Sequence, residues 1–157
     1  MVSAWASEAG LVLGQLRVDE KSNEIPAVPE LLELIDAQGC IITSDAMSCQ
    51  KKTVQKIAEK QCDYVISLKG NQETLHEDVK LYFETALQEF KLYPLGHTVT
   101  LDKRHGRIEK REYYLTQDVE WMKNRSEWTN LNAIGMFAVR ELLMERKVRR
   151  FGILYHP

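Results

Sequence analysis

The sequence predicts an α/β sheet with an antiparallel hairpin at one side. Short apolar runs rich in β-branched residues alternate, over the first 95 residues, with stretches whose apolar residues recur at helical spacing. The resulting order is strand, strand, helix, strand, helix, strand, helix. After residue 95 the pattern changes to period-two alternation, which is typical of antiparallel strands inserted after the α/β part.

Length and composition fit one globular domain and exclude several classes of protein. A chain of 157 residues can bury roughly 70% of its unfolded surface. A net charge of −2 with 28% charged residues gives no global electrostatic case for nucleic acid or membrane binding. No segment approaches the ~20 apolar residues of a membrane span, and the first five residues lack the pattern of a signal peptide. The odd count of three cysteines, without zinc-type spacing, predicts a reduced cytoplasmic protein.

The first two predicted strands form a hairpin. Val2–Trp5 and Leu11–Val18 are apolar runs, and Gly10 serves the turn between them. A helix follows, because one apolar face is built from Ile25, Val28, Leu31, Leu32 and Ile35.

Two prolines limit where this first helix is regular, and two polar residues before it are candidate caps. Pro26 and Pro29 either confine the regular part to the region near Glu30–Asp36 or lie in the first turn. Ser22 or Asn23 can cap the helix.

The next strand leads to the main candidate site. Cys40–Ile42 is a short β-branched run after Gly39 and predicts a buried strand that stops at Asp45. Ser48 is a candidate N-cap for the helix that follows. An acid at the carboxyl end of a strand is where α/β folds place chemistry, although Asp is also a common turn or capping residue.

Two more helices and one strand complete this part. Lysines line the wet side of a helix whose apolar face is Val54, Ile57 and Ala58. The strand Cys62–Leu68 ends at Lys69–Gln72. The third helix has the clearest apolar stripe of the chain, formed by Leu75, Val79, Tyr82, Phe83, Ala86 and Phe90.

A basic cluster lies between two alternating strands of the inserted segment, His97–Lys103 and Ile108–Thr116. The cluster, called the basic loop set here, comprises Lys103, Arg104, His105, Arg107, Lys110 and Arg111. It is either a solvated charged hairpin, offset by nearby acids, or a loop that contacts phosphates through its guanidinium groups. A second basic run, at residues 145–150, lacks periodicity and is interpreted as a solvated end.

Six motifs occur in an order that resembles a known family. They are Val2-Ser3-Ala4-Trp5, Gly10-Leu11-Val12-Leu13-Gly14-Gln15, Lys21-Ser22-Asn23-Glu24-Ile25-Pro26, Ser44-Asp45-Ala46-Met47 with Cys49-Gln50, Leu68-Lys69-Gly70-Asn71-Gln72, and His105-Gly106-Arg107-Ile108-Glu109. Together, from residue 2 to about 136, they resemble the ISAs-type insertion-sequence transposases, the family that includes the H-repeat-associated proteins.

The resemblance implies a ribonuclease-H-like DDE fold, DNA as partner and DNA strand transfer. Such enzymes hold two Mg²⁺ or Mn²⁺ ions with three carboxylates. Asp45 matches the second acid, as a catalytic and metal-binding residue, in place of a mere turn role. The first acid is expected on a strand before the hairpin and is absent here, and the motif of the third acid is not found. Glu109 lies in the inserted strands and does not receive that role.

The resemblance also predicts an incomplete domain. We divide the chain into a ribonuclease-H-like core without its first strand (1–95), an inserted β-rich segment (96–140) and an atypical tail (141–157) that a frameshift has replaced. The missing strand should leave either a re-paired hairpin or unpaired edges, with marginal stability or self-association.

The chain is therefore expected to be an inactive transposase remnant that lacks two of three acids. The alternatives are a non-enzymatic module that binds DNA or pairs with a full-length transposase, and a degenerate product without function.

Overall fold

The chain folds as a mixed α/β structure. The computed structural model describes residues 1–18, 24–89, 92–104, 107–141 and 147–155. The strands are β1 (Val2–Ala6), β2 (Leu11–Leu16), β3 (Ile41–Ser44), β4 (Asp63–Leu68), β5 (Gly96–Arg104), β6 (Arg107–Thr116), β7 (Ala133–Glu141) and β8 (Lys147–Tyr155). The helices are α1 (Glu24–Leu34), α2 (Lys51–Glu59) and α3 (Glu73–Gln88). The α/β class predicted from the sequence is confirmed.

The main sheet has six strands in the order β3-β4-β8-β7-β6-β5. Only β3 and β4 run parallel among the described pairs, with α2 as their crossover, and all the other neighbours are antiparallel. The inserted strands β5 and β6 therefore belong to the same sheet as the Asp45 strand. The sheet is mixed, as expected.

The β1–β2 hairpin forms a separate two-stranded sheet. Its turn closes through a 2.8 Å hydrogen bond from the Gly10 N–H to the Ala6 carbonyl, with Gly10 at φ +65°. The hairpin packs on α1 so closely that a Cβ at Gly14 would lie 3.2 Å from Leu31 Cδ1. Within the described residues no strand pairs with the outer edge of β3. Of the two predicted outcomes, the structure has the unpaired edge.

One face of the main sheet carries the core. Tyr64, Ile66 and Leu68 of β4 point toward the helices and are buried, whereas Val65 between them faces solvent. On α3 the predicted stripe is confirmed from Leu75 to Ala86, while Phe90 lies outside the described residues. The alternation of β4 thus separates a packed face from an open one.

Of the two alternatives for the prolines of α1, confinement of the helix to Glu30–Asp36 is wrong, because α1 begins at Glu24. The other alternative holds for Pro26, which lies in the first turn, but not for Pro29, which lies in the interior. Because the first four N–H groups of a helix have no intrahelical acceptor, Pro26 in the first turn removes no hydrogen bond. Ser48 does not cap α2, whose N-cap is Gln50. The caps predicted at Ser22 or Asn23 lie outside the described residues.

The burial predicted for the Asp45 strand is also wrong on one side. Ile41 is 58% exposed and Cys40 is exposed, while Ile42 packs against the core. The reason is position, because β3 is an edge strand with one face covered.

The end of the chain is a strand of the sheet, although Arg149 and Arg150 of the basic run are exposed as predicted. Strand β8 lies in the interior of the sheet between β4 and β7, and it buries Phe151 and Ile153. The described part of the tail therefore contributes to the core. Strand β7 was not predicted at all.

Candidate active site and nucleic-acid interface

Asp45 stands directly after β3, at the carboxyl end of a strand as predicted. Its carboxylate is exposed, and Oδ1 accepts a 3.0 Å hydrogen bond from the Met47 backbone N–H. Asp45 thereby caps a one-turn 3-10 helix, Ala46–Ser48. The capping role weighed in the sequence analysis is present, and none of the described hydrogen bonds involves Oδ2.

The turn after Asp45 accepts hydrogen bonds from two side chains in the linker that follows β4. The Asn71 Nδ2 group donates to the Ala46 carbonyl at 2.7 Å. The Gln72 Nε2 group donates to the Cys49 carbonyl at 2.9 Å and to Gln50 Oε1 at 3.2 Å. Because β3 and β4 are parallel, their carboxyl ends are adjacent, which brings these two linkers together.

The surroundings of this turn combine an apolar base with a polar rim. The Cys49 side chain is fully buried beneath it, and burial raises the pKa of the Cys49 thiol to about 12. On the rim, Lys51 forms an ion pair with Glu127 beside a shallow groove at the start of α3. Burial therefore disfavours the thiolate, the form in which cysteine acts as a nucleophile.

The described residues do not form a metal site. No group of three or more His, Cys, Asp or Glu side chains comes close enough to hold an ion anywhere in the described ranges. Divalent Mg²⁺ and Mn²⁺ need several oxygen ligands, and Asp45 supplies one carboxylate. The described residues by themselves therefore do not fit the two metal ions that the resemblance implies.

The basic loop set lies at the tip of the β5–β6 hairpin, and its described members divide between the two faces of the sheet. Lys103 and Lys110 share one face, because Lys110 pairs with Leu101, two residues before Lys103. Arg111 points to the opposite face, where it bonds Glu109 at 2.8 Å. That hydrogen bond raises the pKa of the Arg111 guanidinium. His105 and the side chains of Arg104 and Arg107 lie outside the described residues.

Two arginines that the sequence analysis did not select join the face of Lys110. Arg140 of β7 pairs with Lys110, and Arg149 of β8 pairs with Ala138, two residues from Arg140. Arg149 lies 3.9 Å from Glu84 of α3, and Lys110 lies 3.0 Å from Glu112. We call Lys103, Lys110, Arg140 and Arg149, which share this face, the basic row. The sequence could not reveal the basic row, since it depends on the register of four strands.

The acid and the basic row lie at the same end of the sheet. The strand directions place the carboxyl ends of β3, β4, β5 and β7 beside the amino ends of β6 and β8. Lys110 stands four strands from Asp45 and about five residues further along the strand axis. With about 4.8 Å between strands and about 3.3 Å per residue, the two are on the order of 25 Å apart.

This combination, an acid after a strand of a mixed sheet with a basic hairpin beyond it, agrees with the comparison to known families. Residues 1–139 match the family described as Transposase DDE domain, and the chain belongs to that family.

Curated relatives narrow the class. YncI of Escherichia coli O157:H7, provisionally named a transposase, is 40% identical over 158 residues, which covers 99% of this chain and 40% of YncI. YhhI of E. coli K12, provisionally named an H repeat-associated transposase, is 37% identical over 94% of this chain and 39% of its own length. An uncharacterized protein in the dhlA 3' region of Xanthobacter autotrophicus is 40% identical over 91% of this chain and 48% of that protein.

The resemblance to the H-repeat-associated transposases is thereby confirmed. The chain spans less than half the length of these relatives. No solved structure matches it. None of the described helices is long and apolar enough to cross a membrane.

Proposed function

We propose that this chain is a DNA-binding, ribonuclease-H-like part of a DDE transposase, with no strand-transfer activity of its own. The observation that carries the proposal is the placement of Asp45 and a basic row at one end of the sheet. Their separation of about 25 Å corresponds to roughly seven base-pair steps of a duplex, at about 3.4 Å of helix axis each. A duplex lying across this end would contact both.

In this proposal Asp45 is the second of the three acids. A carboxylate directly after a strand, with its turn held by neighbouring side chains, is well suited to a fixed position beside a phosphate. One carboxylate does not complete a two-metal site, since each ion needs several oxygens. The chain by itself is therefore catalytically silent.

The DNA contacts are assigned to the basic loop set: Lys103, Arg104, His105, Arg107, Lys110 and Arg111. Arg140 and Arg149 extend it on the face of Lys110. Lys103 is exposed at the edge strand of the sheet, where a phosphate can reach it. Contacts of this kind position DNA without reading its sequence.

Salt dependence tests this assignment. Affinity for a labelled 20-base-pair duplex, measured by fluorescence anisotropy from about 50 to 200 mM salt, should fall with a log-log slope of several units. Lys103→Ala and Lys110→Ala should each lower that slope by about 1. Lys52→Ala, an exposed lysine on α2, is the matched control and should leave it unchanged.

Two results would overturn the proposal. One is an affinity for DNA that does not change with salt concentration. The other is a decrease of the salt slope in the Lys52→Ala control equal to that in the Lys103 and Lys110 variants. Incubating the same preparation with supercoiled DNA and Mg²⁺ or Mn²⁺ should give no nicks. Nicking that Asp45→Ala abolishes would show that the chain is active alone.

A protein-binding module is the second candidate, favoured by the open edge of β3. Ile41 is 58% exposed there, and an unpaired edge offers a row of backbone N–H and C=O groups to another strand. We expect such pairing to use a second copy or a full-length transposase. Light scattering of the purified chain, with Ile41→Lys as the variant that should restore the monomer, distinguishes this role from DNA binding.

A further inference from the structure

The linker between β4 and α3, Lys69–Gln72, carries a motif that the proposed DNA contacts do not use. Two of its amide side chains reach across to the linker that follows Asp45. Asn71 donates to the Ala46 carbonyl at 2.7 Å, and Gln72 donates to the Cys49 carbonyl at 2.9 Å. We call these two side chains the amide brace.

The turn that receives the brace has little to hold it otherwise. It is a single turn of 3-10 helix, whose internal hydrogen bonds run from Ser48 N to Asp45 O at 3.3 Å and from Cys49 N to Ala46 O at 3.1 Å. Such short turns have poorer hydrogen-bond geometry than an α-helix. The brace supplies the Ala46 carbonyl with a second, shorter bond.

The brace also bonds one residue at the start of the turn, Ala46, and one residue after it, Gln50. Ala46 directly follows Asp45, and its buried carbonyl accepts from Asn71. Gln50, the N-cap of α2, accepts from Gln72 through Oε1 at 3.2 Å. The peptide after Asp45 and the start of α2 are thus both tied to the end of β4.

We propose that Asn71 and Gln72 are positioning residues, which fix the direction of the Asp45 carboxylate by holding the turn it caps. Loss of the brace should release the turn while leaving the hydrophobic core in place, because the core cluster that contains Val54 and Ile57 does not include either amide side chain. The importance of a fixed Asp45 rests on the proposed function, whereas the brace itself rests on the hydrogen bonds alone.

Backbone ¹⁵N relaxation of the full chain tests this inference. Asn71→Asp and Gln72→Glu keep the shape of each side chain and replace the amide donor with a carboxylate oxygen. In the double variant, the order parameters of the Met47 and Ser48 amides should fall from about 0.85 to below about 0.6. The amide of Val79, in the interior of α3, should keep its value.

The matched control is Asn124→Asp. Asn124 is an exposed asparagine near the same groove, and its side chain makes no capping hydrogen bond. This change adds one negative charge, as Asn71→Asp alone does, without touching the turn, so the order parameters at Met47 and Ser48 should not change. If the charged double variant does not fold, Asn71→Ala deletes the donor without adding charge and should give a smaller loss at the same amides.

Two outcomes would overturn the inference. Unchanged order at Met47 and Ser48 would mean that the turn holds itself. An equal loss at Val79 would mean that the amides support the whole fold and not the turn. Neither DNA nor metal enters this experiment, so its failure and a failure of the proposed DNA binding can be told apart.

Discussion

The two halves of the six-stranded sheet differ in how their side chains are held. Strands β3, β4 and β8 pack against the helices, with Ile66 and Ile153 fully buried. Strand β5 lies outside the packed region, since every residue from Gly96 to Lys103 except Asp102 is exposed. Strand β6 reaches the packed region at its end, where Thr116 is buried and Tyr114 packs against the core. The charged side chains of β5 and β6 are held by ion pairs such as Lys110–Glu112 at the surface.

Because of this difference, substitutions in the two proposed functional elements should affect the stability of the fold to different extents. Asp45 lies at the rim of the packed half, where its turn depends on hydrogen bonds from another linker. The basic loop set lies on the open half, where substitutions change charge with little effect on packing. A loss of DNA binding caused by a substitution on β5 or β6 can therefore be interpreted without a correction for unfolding.

The largest expected effect comes from the buried side of β8. Ile153→Ala removes a fully buried side chain that lies between β4 and β7, and it should lower the free energy of unfolding by about 2–5 kcal/mol. Val148→Ala, on the same strand but 51% exposed, should change it by less than about 0.5 kcal/mol. Urea denaturation followed by circular dichroism measures both.

Equal effects of the two substitutions would contradict the structure at this strand. In particular, an Ile153 variant as stable as the parent would mean that β8 does not complete the sheet. The tail would then be the separate, atypical segment that the sequence analysis predicted.

The helices were predictable because their apolar periodicity is local. The stripe on α3 and the polar side of α2 follow from residues three and four apart. Strand β8 was missed because Arg149 and Arg150 within it suggested a solvated end. Their position follows from pairing with β7 and β4, which no local pattern encodes.

The candidate site was predictable only in part for the same reason. Asp45 could be selected from its place after a strand and from the family motif. The contacts of Asn71 and Gln72 with its turn could not, because they depend on two strand ends becoming neighbours. The frameshift predicted after residue 140 stays a prediction. The match to YncI over 99% of the chain favours a family sequence that continues into the tail.

A pH-dependent effect should appear at alkaline pH in the packed half. Burial raises the pKa of Cys49 from its ordinary value of 9.0 to about 12. Above pH 9.0 the unfolded chain therefore loses this proton before the folded chain does. Stability should be complete below that pH and should fall by up to about 1.4 kcal/mol per pH unit as the pH rises toward 12.

The comparison of wild type with Cys49→Ala isolates this contribution. Burial also raises the pKa values of Cys62, Tyr82 and Tyr114, so both proteins should lose stability above pH 9. The slope of the Cys49 variant should be shallower. Parallel pH profiles of the two proteins would mean that the thiol at position 49 is not shielded from solvent.

The smallest effects are expected on the open half. Lys110→Ala removes the ion pair with Glu112, in which the Lys110 side chain is 36% exposed. Since pairs of this kind typically contribute 0.2–1 kcal/mol, the urea midpoint should hardly move. The same variant should lower the salt slope of DNA binding by about 1. A large loss of stability would show that β6 is anchored through its charges, and the division into a packed half and an open half would then be wrong.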